Sequence, residues 1–159
     1  MTLFHKNNKP FVEGVCLNDL TDIIETPFYI YSQKSITDAY NKLKQSLNAE
    51  IFYSVKANSN QAIISLMNSL GAGADVVSAG ELKRALKASV NPKNIIFEGV
   101  GKSIQDLKYA ISKNIRQINV ESFEELSTLN NIGKTLNKKI NIGIRLNPNI
   151  VANTLDKIS

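Results

Sequence analysis

The sequence has a single cysteine and a single histidine, and both shortages exclude functions. With only Cys16, the chain cannot form an intramolecular disulfide, which suits a reducing cytoplasm. One cysteine and one histidine are also too few side chains to build an ordinary protein zinc site. No apolar run approaches membrane-spanning length, and residues 1–9 lack the apolar core of a signal peptide. We therefore expect a cytoplasmic protein with no metal and no membrane partner.

The composition fits one ordinary globular domain. The chain has 159 residues, of which 43% are hydrophobic, and this is enough to build a core. Its net charge is +5, from 19 Lys and Arg residues against 14 Asp and Glu residues. A positive charge can indicate nucleic-acid binding. The lysines here are scattered over predicted helix faces, so we expect no nucleic-acid partner.

A strand–turn–helix pattern repeats from residue 51 onward. Its strands are predicted to begin at Ile51, Gly73, Ile95, Gln117 and Asn141. The steps of 22 to 24 residues are long enough for one βα unit each. Strands that alternate with helices in this way indicate a parallel sheet.

Helix start and stop signals support the repeat. Asn60 is a good N-cap for a helix that ends before Gly71. Capping boxes are predicted over Ser78–Glu81 and Ser122–Glu125, with a looser version over Ser103–Asp106. The helix positions therefore agree with the strand positions.

Two glycine-rich segments fail as phosphate-binding motifs. Residues 99–103 resemble the end of a P-loop, but Ile96 stands where its first glycine is needed. Residues 71–73 lack the third glycine of the dinucleotide fingerprint, because Val76 occupies that position. We interpret residues 99–103 as a turn from a strand into a helix.

The faces of the predicted strands favour a barrel over an open sheet. In the last strand, Ile142 and Ile144 lie on an apolar face, which we expect to pack against helices. Gly143 and Arg145 lie on the opposite face, which is polar. A central strand of an open doubly wound sheet is apolar on both faces. The pattern predicts an α/β fold with about five of the eight strands of a (β/α)₈ TIM-type barrel.

The first fifty residues differ from the repeat. Strands are predicted at residues 11–15 and 28–31, a short helix over 17–24, and an amphipathic helix over 35–47 that leads into the repeat. We expect these strands to belong to a sheet of their own, separate from the barrel. We therefore divide the chain into residues 1–33, part of a β-domain, and residues 34–159, the barrel portion.

Three residues are candidates for chemistry. Lys56 follows a predicted strand over residues 51–55, where an α/β barrel presents an amine at its active-site end. Such an amine can lose its proton by desolvation and condense with a carbonyl, although many strand-ending lysines serve only solubility. Asp75 could hold a cation or protonated ring nitrogen, or form a structural hydrogen bond. Arg145 needs an anionic partner, either a substrate or a barrel carboxylate.

Five segments together carry a family resemblance. They are Tyr53–Asn58, Gly73–Leu82, Phe97–Ser103, Ile118–Ser122 and Arg145–Pro148. Their order and sequence resemble the diaminopimelate decarboxylases, a family of fold-type III amino-acid decarboxylases that depend on pyridoxal phosphate. The resemblance runs from about Phe11 to Ser159.

The resemblance implies a fold, a reaction and roles for the three candidates. The fold would be the alanine racemase-like barrel, with Lys56 binding pyridoxal 5'-phosphate as a Schiff base and with Asp75 and Arg145 shaping the cofactor pocket. The reaction would convert meso-2,6-diaminopimelate into L-lysine and CO₂, the last step of lysine biosynthesis. A homodimer is also implied, since the active sites of the family lie at a dimer interface.

The length of the chain leads to a further expectation. An eight-stranded barrel needs about 250 residues, so we expect this chain to be a piece of a longer enzyme and to be inactive alone. Leu155 stands where the family usually has a histidine. Two alternatives stay open. The chain could be an inactive remnant that associates with a full-length paralogue, or it could belong to another fold-type III decarboxylase that acts on ornithine or arginine.

Overall fold

The computed structural model describes residues 3–148 and divides the chain into two compact units, Met1–Ile51 and Phe52–Ser159. The boundary placed between residues 33 and 34 stays a prediction. Leu155 lies outside the described residues. Among residues 3–148, no helix has the length and apolar character needed to cross a bilayer.

The first unit contains a small antiparallel sheet and two helices. Its elements are β1 (Leu3–Lys6), β2 (Lys9–Val12), β3 (Val15–Cys16), α1 (Leu17–Thr21) and α2 (Gln33–Ser46), with strand order β1-β2-β3. The single strand predicted over residues 11–15 is instead a hairpin. Its two turn residues, Glu13 and Gly14, have φ values of 52° and 84°. Two consecutive residues with positive φ are typical of the tight turns that join antiparallel strands.

Residues 28–31 are not a strand in the described structure, so that prediction is wrong. Their aromatic residues have high strand propensity, but propensity needs a neighbouring strand to pair with. Tyr29 instead stacks on Tyr31, with ring centroids 6.4 Å apart, and is 89% exposed.

The second unit is a βα repeat, as predicted. Its strands are β4 (Phe52–Ser54), β5 (Gly73–Val76), β6 (Ile95–Phe97), β7 (Gln117–Val120) and β8 (Ile142–Ile144). Its α-helices are α3 (Gln61–Ser69), α4 (Ala79–Lys87), α5 (Ile104–Ser112) and α6 (Phe123–Leu136), and two 3₁₀ turns cover Val55–Ala57 and Pro92–Asn94. All four strand pairs are parallel, and the order is β4-β5-β6-β7-β8.

The core of this unit lies between the helices and one face of the sheet. Phe97, Val76 and Ile118 point into it from neighbouring strands and are at most 1% exposed. Burying each such side chain contributes about 1.5–3 kcal/mol. The last strand differs from its prediction, because Ile142 is 37% and Ile144 is 68% exposed. The reason is that no helix follows β8 within the residues described.

The helix caps depart from prediction in an instructive way. The looser candidate, Ser103–Asp106, forms the complete capping box. In α4 and α6 the serine caps accept as predicted, but the glutamates reach one residue further back. Glu81 accepts from the backbone N–H of Val77 at 2.9 Å, and Glu125 accepts from that of Glu121 at 3.0 Å. Each glutamate therefore fixes the residue that directly follows the preceding strand.

Candidate active site

The three predicted site residues lie at the carboxyl end of the parallel sheet. Lys56 follows β4, Asp75 is in β5, and Arg145 follows β8. Between them, Glu98 follows β6 and Glu121 follows β7. We call these five residues the carboxyl-end cluster, and their order across the sheet is the order of their strands. Enzymes built from parallel βα units place their catalytic groups at this end.

Lys56 occupies a turn, whereas the sequence predicted that it directly follows a strand of five residues. The strand ends at Ser54, and a 3₁₀ turn over Val55–Ala57 carries Lys56 into an exposed position. Burial of the Val55 side chain anchors this turn in the core. The Tyr53 hydroxyl donates to the backbone oxygen of Asn58 at 2.9 Å and so ties both ends of the turn together. The amine is therefore held on a fixed backbone and is accessible to a ligand.

Asp75 is half-buried beside Lys56. The Ser54 hydroxyl donates to Asp75 Oδ2 at 3.2 Å, while the buried Oδ1 has no hydrogen-bond partner among the residues that the structure describes. Burial raises the pKa of the Asp75 carboxyl above its usual value, and the charge of Glu98 raises this pKa further. The hydrogen bond from Ser54 and the charge of Lys56 act in the opposite direction.

We expect replacement of Asp75 to change how stability depends on pH. Because the folded-state pKa of Asp75 lies above its unfolded value, its ionisation lowers stability as pH rises from the unfolded pKa through the folded pKa. Asp75→Asn removes this loss and keeps an acceptor for Ser54. Thermal unfolding across a pH series should show the variant gaining stability over the wild type through that window. A stability difference that does not change with pH would contradict this account.

Arg145 is held at the sheet edge by two carboxylates. Its Nη1 atom lies 3.5 Å from Glu121 Oε1 and 3.9 Å from Glu98 Oε2. The arginine side chain is 61% exposed, whereas that of Glu121 is only 12% exposed. The guanidinium is thus anchored from the protein side and open to an anion from solvent. Of the alternatives left open for Arg145, the structure shows barrel carboxylates as its partners.

Glu98 and Glu121 were not among the sequence candidates. Glu121 continues the alternation of Gln117 and Asn119 in β7, and this signal could have identified it. Glu98 follows β6, which has no polar residue, so alternation gives no signal there. Glu98 also ends a chain of side chains on the sheet. Asn119 Nδ2 donates to Glu98 Oε1 at 2.6 Å, and Gln117 Nε2 donates to Asn119 Oδ1 at 2.6 Å.

Gly143 makes room for this amide chain, and we expect its replacement to be costly. A Cβ at Gly143 would overlap Asn119 Oδ1 and lie 2.6 Å from Gln117 Nε2. We predict that Gly143→Ala lowers the free energy of unfolding by about 1–3 kcal/mol. Gly80→Ala is the matched control, because the nearest atom to its Cβ would be Ser78 Oγ at 3.6 Å. Urea unfolding measures both, and equal effects in the two variants would refute the packing argument.

The sequence and structure match those of known proteins. Residues 33–159 match the family model described as pyridoxal-dependent decarboxylase, pyridoxal binding domain. The chain belongs to the pyridoxal-dependent decarboxylase family.

Within this family, the chain is similar to proteins named diaminopimelate decarboxylase. The chain is 46% identical to diaminopimelate decarboxylase of Helicobacter pylori over 144 residues, which are 89% of this chain and 36% of the relative. It is 42% identical to that of Aquifex aeolicus over 149 residues, 93% of this chain and 36% of the relative. The crystal structure of the H. pylori enzyme complexed with L-lysine matches with a TM-score of 0.85 at 44% identity. The match covers 89% of this chain and 36% of the H. pylori chain. The chain thus spans about a third of the length of these relatives.

The carboxyl-end cluster fits the pyridoxal cofactor of the decarboxylase family. Lys56 supplies an exposed primary amine, the group that condenses with an aldehyde. The Oδ1 atom of Asp75 is buried and has no hydrogen-bond partner among the described residues. Burying such an atom costs free energy unless a ligand group donates a hydrogen bond to it. Arg145 supplies an exposed cation for an anionic group. The amine, the carboxylate and the guanidinium can each bind a group of pyridoxal phosphate.

Proposed function

We propose that this chain is the pyridoxal-binding part of a diaminopimelate decarboxylase. The reaction would release the carboxylate at the D-configured centre of meso-2,6-diaminopimelate as CO₂ and yield L-lysine. The observation that carries the proposal is the position of Lys56 at the carboxyl end of the parallel sheet, in a chain that matches the pyridoxal binding domain of the family. The names of the two relatives and the L-lysine in the solved structure support this substrate.

In this proposal Lys56 binds the cofactor covalently through its amine. The exposed turn allows the cofactor aldehyde to reach the amine, and the buried Val55 keeps the turn in place. When bound, pyridoxal phosphate supplies an electron sink for the bond to the departing carboxylate. The chain itself supplies the attachment point and the charges around it.

Asp75 and Arg145 would hold the cofactor by charge and hydrogen bonding. Asp75 offers its Oδ1 atom to a donor on the ligand, and the Ser54 hydroxyl fixes the orientation of the carboxylate. Arg145, held by Glu121, offers its guanidinium to an anionic group of the ligand. The homodimer and the cytoplasmic location that the sequence implied belong to the same proposal.

The direct test is a decarboxylation assay on the protein expressed from its own gene. Purified protein is supplied with pyridoxal phosphate, and CO₂ release is measured separately from meso-2,6-diaminopimelate, ornithine and arginine. We expect release from diaminopimelate with L-lysine as the product. Preference for ornithine or arginine would assign another decarboxylase of the same fold. Cofactor binding without release from any of the three would favour the inactive remnant.

A further inference from the structure

Lys102 is a buried cation whose three N–H groups are all satisfied. Its side chain is 1% exposed. The ammonium donates to the backbone oxygen of Gly99 at 2.6 Å, to that of Asn119 at 2.7 Å and to Glu125 Oε1 at 2.8 Å. A lysine is almost never fully buried unless it is paired, and an ammonium has three donors to place. The side chain is therefore fixed in one geometry.

The three acceptors of Lys102 come from three segments of the second unit. Gly99 lies in the loop after β6, Asn119 is in β7, and Glu125 is in the first turn of α6. Phe97 lies beneath the ammonium, with its ring centroid 5.8 Å from Nζ. Lys102 thus joins two neighbouring βα units at the end of the sheet that carries Lys56.

Two of these three acceptor residues, Glu125 and Gly99, also orient Glu121. The second oxygen of Glu125 accepts from the backbone N–H of Glu121 at 3.0 Å. The backbone N–H of Gly99 donates to Glu121 Oε1, also at 3.0 Å. Two separate routes therefore lead from Lys102 to Glu121, one through Glu125 and one through Gly99. One route fixes the backbone of Glu121 and the other fixes its carboxylate.

Glu121 is in turn the nearer of the two ion-pair partners that the described structure gives Arg145. The distance to Glu121 is 3.5 Å, whereas that to Glu98 is 3.9 Å. Arg145 itself is 61% exposed and follows an edge strand. A long exposed side chain samples many rotamers unless a partner restrains it. The orientation of Arg145 therefore depends on how firmly Glu121 is held.

We propose that Lys102 is a positioning residue, which holds Glu121 and, through it, Arg145 in the orientation that binds an anionic group of the cofactor. This inference rests on the proposed function, specifically on the cofactor role of Arg145. Lys102 is inaccessible to any ligand at 1% exposure, so it acts only through the residues that it binds. Its ion pair with Glu125 provides the rigidity, since both charges are largely removed from solvent.

The test is a set of cofactor titrations on the protein expressed from its own gene. The Kd of pyridoxal phosphate is measured by absorbance for the apoprotein of wild type, Lys102→Met, Arg145→Met and the double variant. We expect each single variant to raise Kd about ten-fold, as expected for one lost charge-assisted contact. The double variant should bind no more weakly than Arg145→Met alone, because Lys102 acts through Arg145. A purely structural role would lower Tm and leave Kd unchanged.

Three results would overturn the inference. The first is a folded Lys102→Met protein whose Kd stays within about two-fold of wild type while Arg145→Met binds more weakly. The second is multiplication of the two effects in the double variant. The third is an unchanged Kd for Arg145→Met, which would remove the cofactor role of Arg145. That third result is separate from failure of the proposed function, which the covalent attachment at Lys56 and the decarboxylation assay test independently.

A milder variant covers the case in which Lys102→Met does not fold. In wild type, one oxygen of Glu125 accepts from Lys102 and the other accepts from the N–H of Glu121. Glu125→Gln keeps Lys102 but replaces one of these two acceptor oxygens with an NH₂ group. We expect this variant to fold, to raise Kd and to lose its effect in the Arg145→Met background. A folded Glu125→Gln protein with wild-type Kd would count against the inference in the same way.

Discussion

Lys56→Ala is expected, under the proposed function, to abolish covalent attachment of pyridoxal phosphate and to reduce decarboxylation on the order of 10⁶-fold, the scale seen when a group that bonds covalently during catalysis is removed. In the proposed function the Lys56 amine forms the bond to the cofactor, and no other residue of the carboxyl-end cluster carries a primary amine. Borohydride reduction followed by peptide mass spectrometry reports the attachment site directly. In wild type, we expect the cofactor on the peptide that contains Lys56.

Two controls separate the loss of the amine from other effects. Lys56→Arg keeps the positive charge but cannot form the bond, so it should lose attachment as completely as Lys56→Ala. Lys87→Ala removes an exposed lysine from the last turn of α4 and should leave attachment and activity near wild type. Cofactor trapped on another lysine of the wild-type protein would show that the assignment of Lys56 is incorrect.

Phe97→Ala is expected to be the most destabilising single substitution proposed, at about 3–5 kcal/mol. Phe97 ends β6, the middle strand of the sheet, and its side chain is 0% exposed. Truncation leaves a cavity among Val76, Ile118 and their neighbours, which a regular sheet cannot close by moving one strand. A loss of this size is a large fraction of the stability of an ordinary domain.

The matched control for Phe97 is Phe123→Ala. Phe123 begins α6 and is 84% exposed, so its loss should change stability by no more than about 0.5 kcal/mol. Chemical denaturation of both variants, with unchanged m-values, gives the comparison. A Phe97→Ala protein that loses less than about 1 kcal/mol would mean that the core relaxes around the gap.

The repeat could be predicted from the sequence because period and caps agree locally. The strands at Gly73, Ile95 and Gln117 begin where the spacing placed them, and Asn60 accepts from the N–H of Ala62 as its cap position predicts. Such features depend on residues close in sequence, and a single chain contains that information. The α/β class and the parallel order followed from the same pattern.

What the sequence could not reveal depends on contacts between distant residues. The apolar face of Ile142 and Ile144 looked like a core face, but its burial depends on whether another element covers it. The turn that carries Lys56 is set by the burial of Val55, which alternation along a strand does not predict. The turn predicted over residues 99–103 gives no sign that Lys102 is buried, because its acceptor Glu125 lies 23 positions away in the sequence.

The strand order of the sheet also bears on how the second unit is made. Each strand pairs with the strand before it in the chain, so the order β4-β5-β6-β7-β8 contains no long excursion. Contacts therefore join residues that are close in sequence, which shortens the chain loops that folding must close. Because a chain leaves the ribosome at about 5–20 residues per second, each new βα unit can dock on its predecessor within seconds of synthesis. We expect the sheet to grow during translation, one strand at a time, from β4 toward β8.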